Sequence, residues 1–566
     1  MDRSRLIAVA RGDAEPDLVI AGARVFSAYT REWLDVEVAV ADGRIAGLGS
    51  FDGGRRIDAT GSYLVPGFVD AHVHIESSKL TVAEFARVVL AHGTTCVVCD
   101  PHEVANVLGS DGVHWLLDAC EGVPLDVYVM ASSCIPASAF ESPRRSFSLG
   151  DMESILRRRR TLGIAEMMNF PAVIAGDPAE LAKLALATRA DGHAPGVRGR
   201  SLDAYLAAGI SSDHEAFTYE EALEKRQKGC WVLIREASNA RNLRDLLPLV
   251  RKYGPEHTAF CTDDREPDEL LRQGHINQMA RVAVEEGVSP EDALLLASTH
   301  GALCHGLVGV GAIAPGYHAD FSLLPDLVSF QPTTVFKDGL EVFRDGAVVD
   351  FAVAPVPVWV RQSVRPAPVG RSQLRVPSSG APIRVIGIIP EQLITTAEVV
   401  EPTVVDGFAV ADPTRDLAKI AVVERHHATG QIGLGFVTGF GLQRGAFATT
   451  VAHDAHNIVV VGVEDEDMAL CVTRLAEIGG GVVAFENRRL RGELPLPVAG
   501  LMSDRPAAEV VDGFEAIVAV LGELGVTTPS PLMTLSFLAL SVIPALKITD
   551  RGLIDVEQFA IVPLEA

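Results

Sequence analysis

The sequence predicts an α/β protein organised around a (β/α)₈ barrel, with a flanking β-sandwich and an additional C-terminal α+β domain. Its 566 residues exceed one ordinary domain, since a domain holds roughly 150 residues. Eight candidate strands are each followed by helix-like or loop sequence, at intervals of mostly about 20–35 residues, which fits repeated strand–helix units. β-rich runs precede and follow this region, so the barrel is predicted to be one of several units.

The first predicted element is a small sheet near the N-terminus. Residues 17–26 and 33–45 are short β-rich runs that are broken by Gly and Asp-Gly turns. They indicate strands that come before the barrel.

The barrel is predicted over residues 66–305. Its candidate strands are residues 68–74, 95–100, 126–132, 163–168, a short run ending at His193, 209–214, 231–235 and 258–263. The fifth strand is the least clear, because residues 181–190 look helical. Active sites of such barrels lie at the C-terminal ends of the strands, so polar residues there are the candidates for chemistry.

One stretch, PGFVDAHVHIESSKLT at residues 66–81, is the centre of the candidate site. Its first half alternates as a strand would, so His72 and His74 point to one face and can bind one metal ion. A bare His-x-His is a weak signal. The longer string PGFVDAH resembles the metal-dependent amidohydrolase superfamily, and the continuation HIESS narrows the resemblance to the adenine deaminase family.

This resemblance implies the domain plan around the barrel. Amidohydrolases commonly build a β-sandwich from residues before and after the barrel. Residues 311–324 match the family's return segment and residues 342–349 would finish the sandwich, so residues 1–65 and 306–362 are predicted to form it together. Residues 363–382 are rich in Pro, Arg, Ser and Gly and are predicted to be a linker.

Residues 383–566 are predicted to form the C-terminal domain, with helices near residues 464–478 and 507–524. The motifs ERHHATG, VAHDAHN, LPLPVAGLMSD and MTLSFLALSVIP are similar to those of the same domain in adenine deaminases. The resemblance therefore extends over nearly the whole chain.

The superfamily pattern implies a complete set of metal ligands. His72 and His74 would hold a first metal, Glu166 would bridge two metals, and His193 and His214 would hold the second. Asp263 would be a ligand that also moves a proton. Imidazoles and carboxylates together suit first-row divalent ions. The resemblance favours two manganese or iron ions, and zinc is possible.

Further side chains are candidates for substrate binding. Asp100, His102 and Glu103 follow the second strand, and Glu76 follows the metal pair. The family shares the string DPHE, which implies binding or proton transfer, whereas the alternative is a helix N-cap cluster. The predicted catalytic residues are thus Asp263, Glu166, His102 and Glu103.

Arg235 and Ser238 follow the seventh strand, where they could line the pocket or support the scaffold. A second histidine-rich group in the C-terminal domain allows two interpretations, a further metal site or an interface that closes over the barrel mouth; its members are His426, His427, His453, Asp454 and His456.

Composition restricts the partners. The formal net charge of −25 repels phosphate backbones and anionic lipid surfaces, which argues against nucleic acid and membranes. The eight scattered cysteines indicate free thiols of a reducing compartment. At the N-terminus the only apolar run, residues 6–10, is too short for a signal peptide, and no segment is long enough for a membrane span. We therefore expect a cytoplasmic protein, and a homo-oligomer, most simply a dimer, in which residues 531–544 are core or interface.

The expected function is hydrolytic deamination of free adenine to hypoxanthine and ammonia in purine salvage. A related amidohydrolase that acts on another aminopurine or a cyclic amide is the alternative. A non-catalytic scaffold is disfavoured, because it has no reason to retain Glu166 and Asp263.

Overall fold

The computed structural model describes residues 3–390 and 392–566. A barrel of eight parallel strands occupies the centre of the chain. The strands are β1 (Phe68–Val73), β2 (Thr94–Cys99), β3 (Asp126–Ala131), β4 (Thr161–Met167), β5 (Ala190–Gly192), β6 (Ser212–Asp213), β7 (Trp231–Arg235) and β8 (Thr258–Cys261). All eight predicted strands are present, and the predicted fold class is confirmed.

The barrel strands form two parallel sheets that meet at both edges. One sheet has the order β5-β4-β3-β2-β1 and the other β6-β7-β8. Single parallel bridges join Val73 to Asp263 and Ala190 to Ile210, so the strands form a ring. β1 and β2 are buried along their full length, as is typical of parallel strands that are covered on both faces.

Helices and loops surround the strands. In helix Leu243–Tyr253, for example, Leu243, Leu246, Leu247 and Val250 recur at helical spacing and are all buried. The helices of this region are Val82–Ala91, His102–Leu108, Ser110–Ala119, Leu149–Leu156, Phe170–Ala175, Pro178–Leu184, Gly199–Ala207, Tyr219–Gln227, Leu243–Tyr253, Pro267–Arg272, Ile276–Glu285, Pro290–Leu294 and His300–Cys304.

A β-sandwich flanks the barrel and contains strands from both sides of it. Phe321–Leu324, after the barrel, pairs antiparallel with Tyr63–Pro66, before it. One sheet contains Arg44–Gly49, Glu37–Ala41, Leu18–Ala21 and Arg55–Asp58; the other contains Ala347–Val348, Leu340–Arg344, Thr334–Lys337, Phe321–Leu324, Tyr63–Pro66, Arg24–Ser27 and Glu32–Asp35. Helix Ser4–Arg11 precedes the first strand.

The C-terminal domain is built on one eight-stranded sheet. In spatial order its strands are Thr395–Val400, Ile383–Ile388, Ile432–Thr438, Ala418–Val423, Ile458–Gly462, Ala446–Thr449, Gly481–Glu486 and Arg489–Pro495. Its helices are Asp465–Ile478, Ala507–Glu523 and Pro531–Phe537, and its smaller strands are Val376–Pro377, Thr403–Val405, Phe408–Val410, Leu546–Thr549, Gly552–Asp555 and Ala560–Val562. The two helices predicted from the sequence are present.

Residues 363–382 are more ordered than the predicted linker. Val364, Val369 and Leu374 are buried in the core of the C-terminal domain, and Val376–Pro377 pairs with Phe408–Val410. The segment is rich in proline and arginine, but its few apolar side chains bind it to the sheet.

The C-terminal domain docks on the barrel near the end of β1. Ser503 N donates to Lys79 O at 2.8 Å, and Thr81 N donates to Ser503 O at 3.3 Å. Arg272 of the barrel pairs with Glu515 of helix Ala507–Glu523 at 2.5 Å.

Within the described ranges, every helix is too short or too polar to span a membrane.

Candidate metal centre and active site

The six predicted metal ligands converge in one buried space at the C-terminal ends of the barrel strands. They are His72 and His74 on and after β1, Glu166 on β4, His193 after β5, His214 after β6 and Asp263 after β8. None is more than 8% exposed. Residues that are up to 191 positions apart thus meet because parallel barrel strands end on the same face.

Three side chains of this group surround one point. His72 Nε2 lies 3.1 Å from His74 Nε2, and Asp263 Oδ1 lies 3.4 Å from the first and 3.2 Å from the second. Ligand atoms bound at ~2.1 Å to one ion are separated by roughly 2.9–3.4 Å. The donor types and their separations therefore fit a divalent metal ion.

Glu166 lies between two groups of histidines. Its Oε1 is 3.3 Å from His74 Nε2, whereas its Oε2 is 2.6 Å from His193 Nδ1 and 3.4 Å from His214 Nε2. One carboxylate oxygen faces each group, which is the geometry that a bridging ligand requires.

Hydrogen bonds orient these rings. His74 Nδ1 donates to the carbonyl oxygen of Asp100 at 2.9 Å, so Nε2 is the ring nitrogen that faces the cluster. The rings of His72 and His214 stack at 4.1 Å. Each imidazole thus presents one nitrogen to the shared space.

The carboxylates of the cluster are held in their charged form. Burial alone would raise the pKa of Glu166, but hydrogen bonds from His102, His193, His214 and His74 lower it far below its usual range. Burial likewise opposes ionisation of Asp263, and hydrogen bonds from His72 and His74 lower its pKa well below the ordinary value. Ionised carboxylates are the form that binds cations.

Arg235, predicted as a pocket or scaffold residue, lies in the pocket. Its Nη1 donates to Asp263 Oδ2 at 3.1 Å, and its guanidinium forms a bidentate pair with Glu215. Glu215 Oε1 is 3.5 Å from His214 Nε2 and 3.7 Å from His193 Nδ1. The sequence analysis missed Glu215, although a carboxylate directly after His214 at a strand end was a usable signal.

His102 is the member of the DPHE group that lines the pocket. Its Nδ1 is 3.1 Å from Asp100 Oδ2 and 3.3 Å from Glu166 Oε1. Burial would lower the pKa of His102, but the Asp100 carboxylate raises it well above its usual value. Asp100 also accepts a hydrogen bond from Ser132 at 2.7 Å, so it orients His102 from behind.

Glu103 and Glu76 lie deeper. Glu103 Oε1 accepts a hydrogen bond from Ser77 at 2.8 Å, and burial raises its pKa. Glu76 Oε1 accepts from Val104 N at 3.3 Å; burial, followed by the neighbouring Glu103, raises its pKa to about 8. Both carboxylates therefore lie behind the side chains that line the pocket.

Ser238, predicted to bind substrate, has a different partner. Its Oγ donates to Glu269 at 2.8 Å and accepts from Glu266 N at 2.8 Å. The side chain thus supports the start of helix Pro267–Arg272 instead of facing the pocket. The sequence cannot reveal this, because the position after a strand does not determine where a serine side chain points.

The C-terminal domain completes the pocket. His453 and Asp454 line it together with four apolar side chains, Leu393, Phe537, Leu540 and Ile543. His453 Nδ1 is 3.6 Å from Glu103 Oε1 and 3.5 Å from Asp454 Oδ1. Of the two interpretations of the histidine-rich group, closure over the barrel mouth is the one that these positions match.

The other histidines of that group have local partners. His426 Nε2 lies 2.7 Å from the carbonyl oxygen of Ala455, and His456 Nδ1 accepts from Ala452 N at 3.0 Å. His427 Nε2 is 3.4 Å from the carbonyl oxygen of Pro143. The apolar segment that contains Phe537, Leu540 and Ile543, predicted as core or interface, is a wall of the pocket.

Comparison with known protein families gives two matches. The amidohydrolase family matches residues 63–342, and the adenine deaminase C-terminal domain matches residues 392–560. Together they include the barrel and most of the C-terminal domain.

Curated relatives match along their full length. The chain is 45% identical over 564 residues to the adenine deaminase of Desulfatibacillum aliphaticivorans, with 99% of both chains covered. It is 42% identical over 563 residues to adenine deaminase 2 of Carboxydothermus hydrogenoformans, again with 99% of both covered.

Solved structures are more distant. N-isopropylammelide isopropylaminohydrolase from Burkholderia multivorans is 19% identical, with a TM-score of 0.44 over 59% of this chain and 99% of that one. D-hydantoinase from a Bacillus species is 17% identical, with a TM-score of 0.45 over 59% of this chain and 96% of that one.

Proposed function

The chain belongs to the adenine deaminase family of the amidohydrolases, and we propose that it hydrolyses adenine to hypoxanthine and ammonia. The observation that carries this proposal is the convergence of four histidines, Glu166 and Asp263 at one buried site. The family relationship supplies the substrate, and the pocket supplies the chemical groups that the reaction needs.

The ligand set supports a centre of two divalent ions. His72, His74 and Asp263 would hold one, His193 and His214 the other, and Glu166 would bridge them. Divalent ions at such a site supply hydroxide near neutral pH by lowering the pKa of water. We propose manganese or iron in the cell, with zinc as a possible substitute.

The protein side chains then have distinct tasks. Water adds to C6 of the purine, and its two protons end on the ring nitrogen beside C6 and on the amine. The bond from C6 to the amine then breaks to release ammonia, and the oxygen stays on C6 as the carbonyl of hypoxanthine. Asp263 accepts the proton of the attacking water and passes it toward the leaving amine. Arg235, which binds Asp263 Oδ2 at 3.1 Å, keeps Oδ1 turned to the histidines.

The site also needs side chains that recognise the purine ring of adenine. His102, with Asp100 behind it, is in position to donate a hydrogen bond or a proton to a ring nitrogen. Glu103 Oε1 lies 3.6 Å from His453 Nδ1 and would orient that imidazole. The apolar side chains of the C-terminal domain would contact the faces of the purine ring. Glu76 and Ser238 would act only through these neighbours.

We further propose a cytoplasmic enzyme of purine salvage that assembles as a homo-oligomer, most simply a dimer. The composition and the eight buried cysteines, all of them free, support a reducing compartment. Light scattering of the purified protein measures the assembly state directly.

The test is an assay of hypoxanthine and ammonia formed from adenine by protein loaded with manganese. Turnover is expected, and Asp263→Asn should reduce kcat by at least ~100-fold, the order expected when a positioned proton-transfer group is lost. Protein freed of metal by a chelator is the control. A metal-loaded protein that deaminates another aminopurine but leaves adenine unchanged would contradict the substrate assignment.

A further inference from the structure

The apolar side of the pocket comes from two separate stretches of the C-terminal domain. Leu393 precedes strand Thr395–Val400, whereas Phe537, Leu540 and Ile543 lie at and after the end of helix Pro531–Phe537. Backbone hydrogen bonds join the two stretches at Thr395, whose N donates to Pro544 O at 3.0 Å and whose O accepts from Ala545 N at 3.2 Å. A side chain that contacts both Leu393 and Phe537 adds a second connection, next to the pocket lining.

Lys547 contacts both stretches. It lies on strand Leu546–Thr549 and is fully buried. Its Nζ donates one hydrogen bond to the carbonyl oxygen of Leu393 at 2.8 Å and another to the carbonyl oxygen of Phe537 at 3.1 Å. A single amine thus joins the two parts of the apolar wall.

A buried lysine of this kind is unusual. Lysine is rarely fully buried unless a charged group pairs with it, and burial alone lowers the pKa of Lys547 to about 7, with no charged neighbour contributing. A methionine could fill a similar volume without removing an amine from water. What the lysine adds is therefore the pair of hydrogen bonds.

The wall that Lys547 holds also positions a polar group. The ring of Phe537 stacks on His453, with centroids 4.3 Å apart and planes inclined by 14°. His453 lines the pocket and lies 3.6 Å from Glu103. A shift of Phe537 would therefore move the imidazole that faces the substrate space.

We propose that Lys547 is a positioning residue for the purine-binding wall. By binding Leu393 and Phe537 at once, it fixes the spacing of two apolar side chains in the wall that a flat heteroaromatic ring would contact. The inference rests on the proposed function, because it takes a purine as the ring. Lys547 itself does not line the pocket. It acts through the apolar side chains that would contact the ring, so its loss should affect substrate binding more than the chemical step.

The test compares Lys547→Met with the wild type. The KM for adenine and the Kd for hypoxanthine, measured by calorimetry, should each rise about tenfold, the effect of losing roughly one net hydrogen bond. The value of kcat should change less than KM. Metal content should not change, because Lys547 contacts none of the six ligands.

Lys419→Met is the matched control. Lys419 is also a buried lysine of this domain, but it donates to the carbonyl oxygen of Leu374 at 3.1 Å and pairs with Asp465, away from the pocket. Its substitution should lower thermal stability and leave KM and Kd unchanged. Lys547→Gln is a second variant that keeps a donor but is too short for both carbonyls, so hypoxanthine should bind it with intermediate affinity.

The outcomes separate the two proposals. Wild-type affinity for hypoxanthine in Lys547→Met would overturn the role of Lys547, as would an equal loss in Lys419→Met. If Lys547→Met does not fold, wild-type affinity in Lys547→Gln overturns it instead. A wild-type protein that neither deaminates adenine nor binds hypoxanthine would overturn the proposed function itself.

Discussion

At the scale of single residues, the pocket holds more negative than positive charge. Five carboxylates line it, namely Glu166, Glu215, Asp263, Asp264 and Asp454. Among the described residues of this lining, Arg235 alone carries a fixed positive charge, and it already binds Glu215 and Asp263. Carboxylates in a space of low dielectric repel one another, so cations are needed there. An affinity for cations is thus expected from the whole set and not from any single carboxylate.

Glu141 provides a test of how burial changes titration in this region. Burial, followed by the charge of Asp454, raises the pKa of Glu141 to about 8. An unfolded chain loses this proton near pH ~4.3, so between these values the folded state binds the extra proton. The contribution of Glu141 to stability is therefore complete below pH ~4.3 and is lost as the pH rises through about 8.

Glu141→Gln should remove this loss. From pH 5 to pH 8 the free energy of unfolding of the wild type should fall more than that of the variant, by about 1.4 kcal/mol for each unit of pKa difference that the interval spans. Urea unfolding at the two pH values measures the change. Glu509→Gln, at an exposed position in the first turn of its helix, is the control and should follow the wild type. Parallel curves for all three proteins would contradict the assignment.

The sequence could predict that the six proposed metal ligands come together, because each lies at the end of a barrel strand. Glu215 was missed although it directly follows His214, and its pairing with Arg235, which lies 20 residues away, forms only in the folded barrel. For Ser238 the sequence left a pocket role and a scaffold role open. A serine after a strand fits a pocket as well as a helix start, and only its contact with Glu269 decides between them.

At the scale of elements, two glycines let a strand and a hairpin cross closely in the C-terminal domain. A Cβ atom on Gly433 of strand Ile432–Thr438 would lie 1.9 Å from the carbonyl oxygen of Thr549. A Cβ atom on Gly435 would lie 3.1 Å from the side chain of Ile548. The strand that carries Lys547 thus packs directly on the main sheet.

Gly433→Ala should destabilise the protein by about 1–3 kcal/mol or more, because the contact is with backbone that cannot move aside easily. Gly522→Ala is the control, since a Cβ atom there meets no atom within 4 Å and alanine is favoured over glycine in a helix by up to ~1 kcal/mol. The two variants should shift the urea midpoint in opposite directions. A Gly433→Ala protein as stable as the wild type would show that the crossing can open without cost.

The elements themselves were predictable to different degrees. Long apolar strands such as β1 and β2 stand out in the sequence, whereas β5 has three residues and is recognisable mainly by its place in the series. The segment 363–382 has the composition of a linker. Its binding to the sheet depends on three scattered apolar residues, which no local pattern reveals.

At the scale of the whole molecule, the candidate active site is built by two domains. The barrel supplies the proposed metal ligands, and the C-terminal domain supplies His453, Asp454 and the apolar wall. The regular spacing of strands and helices in the sequence predicts the contribution of the barrel. The contribution of the C-terminal domain cannot be predicted in this way, because the contacts of Leu393 and Phe537 with the pocket depend on how the two domains pack together.

Metal binding should therefore stabilise the whole molecule as well as activate it. The proposed ligands come from β1, β4, β5, β6 and β8, so bound ions would tie together both sheets of the barrel. A ligand that binds only the folded state stabilises it by ~2.7 kcal/mol at 100 times its Kd and by ~4.1 kcal/mol at 1,000 times its Kd. Chelation should remove this amount, and calorimetry should show a lower melting temperature that manganese restores.

The variant His74→Ala separates this effect from non-specific action of the chelator. Its first metal position lacks a ligand that lies 3.2 Å from Asp263 and 3.3 Å from Glu166, so it should bind less metal and lose less stability on chelation than the wild type. A chelated wild type that has lost its metal but melts unchanged would show that the ions take part in the chemistry alone. The expected fall in the wild type, smaller in His74→Ala, would show that the ions which activate water also hold the barrel together.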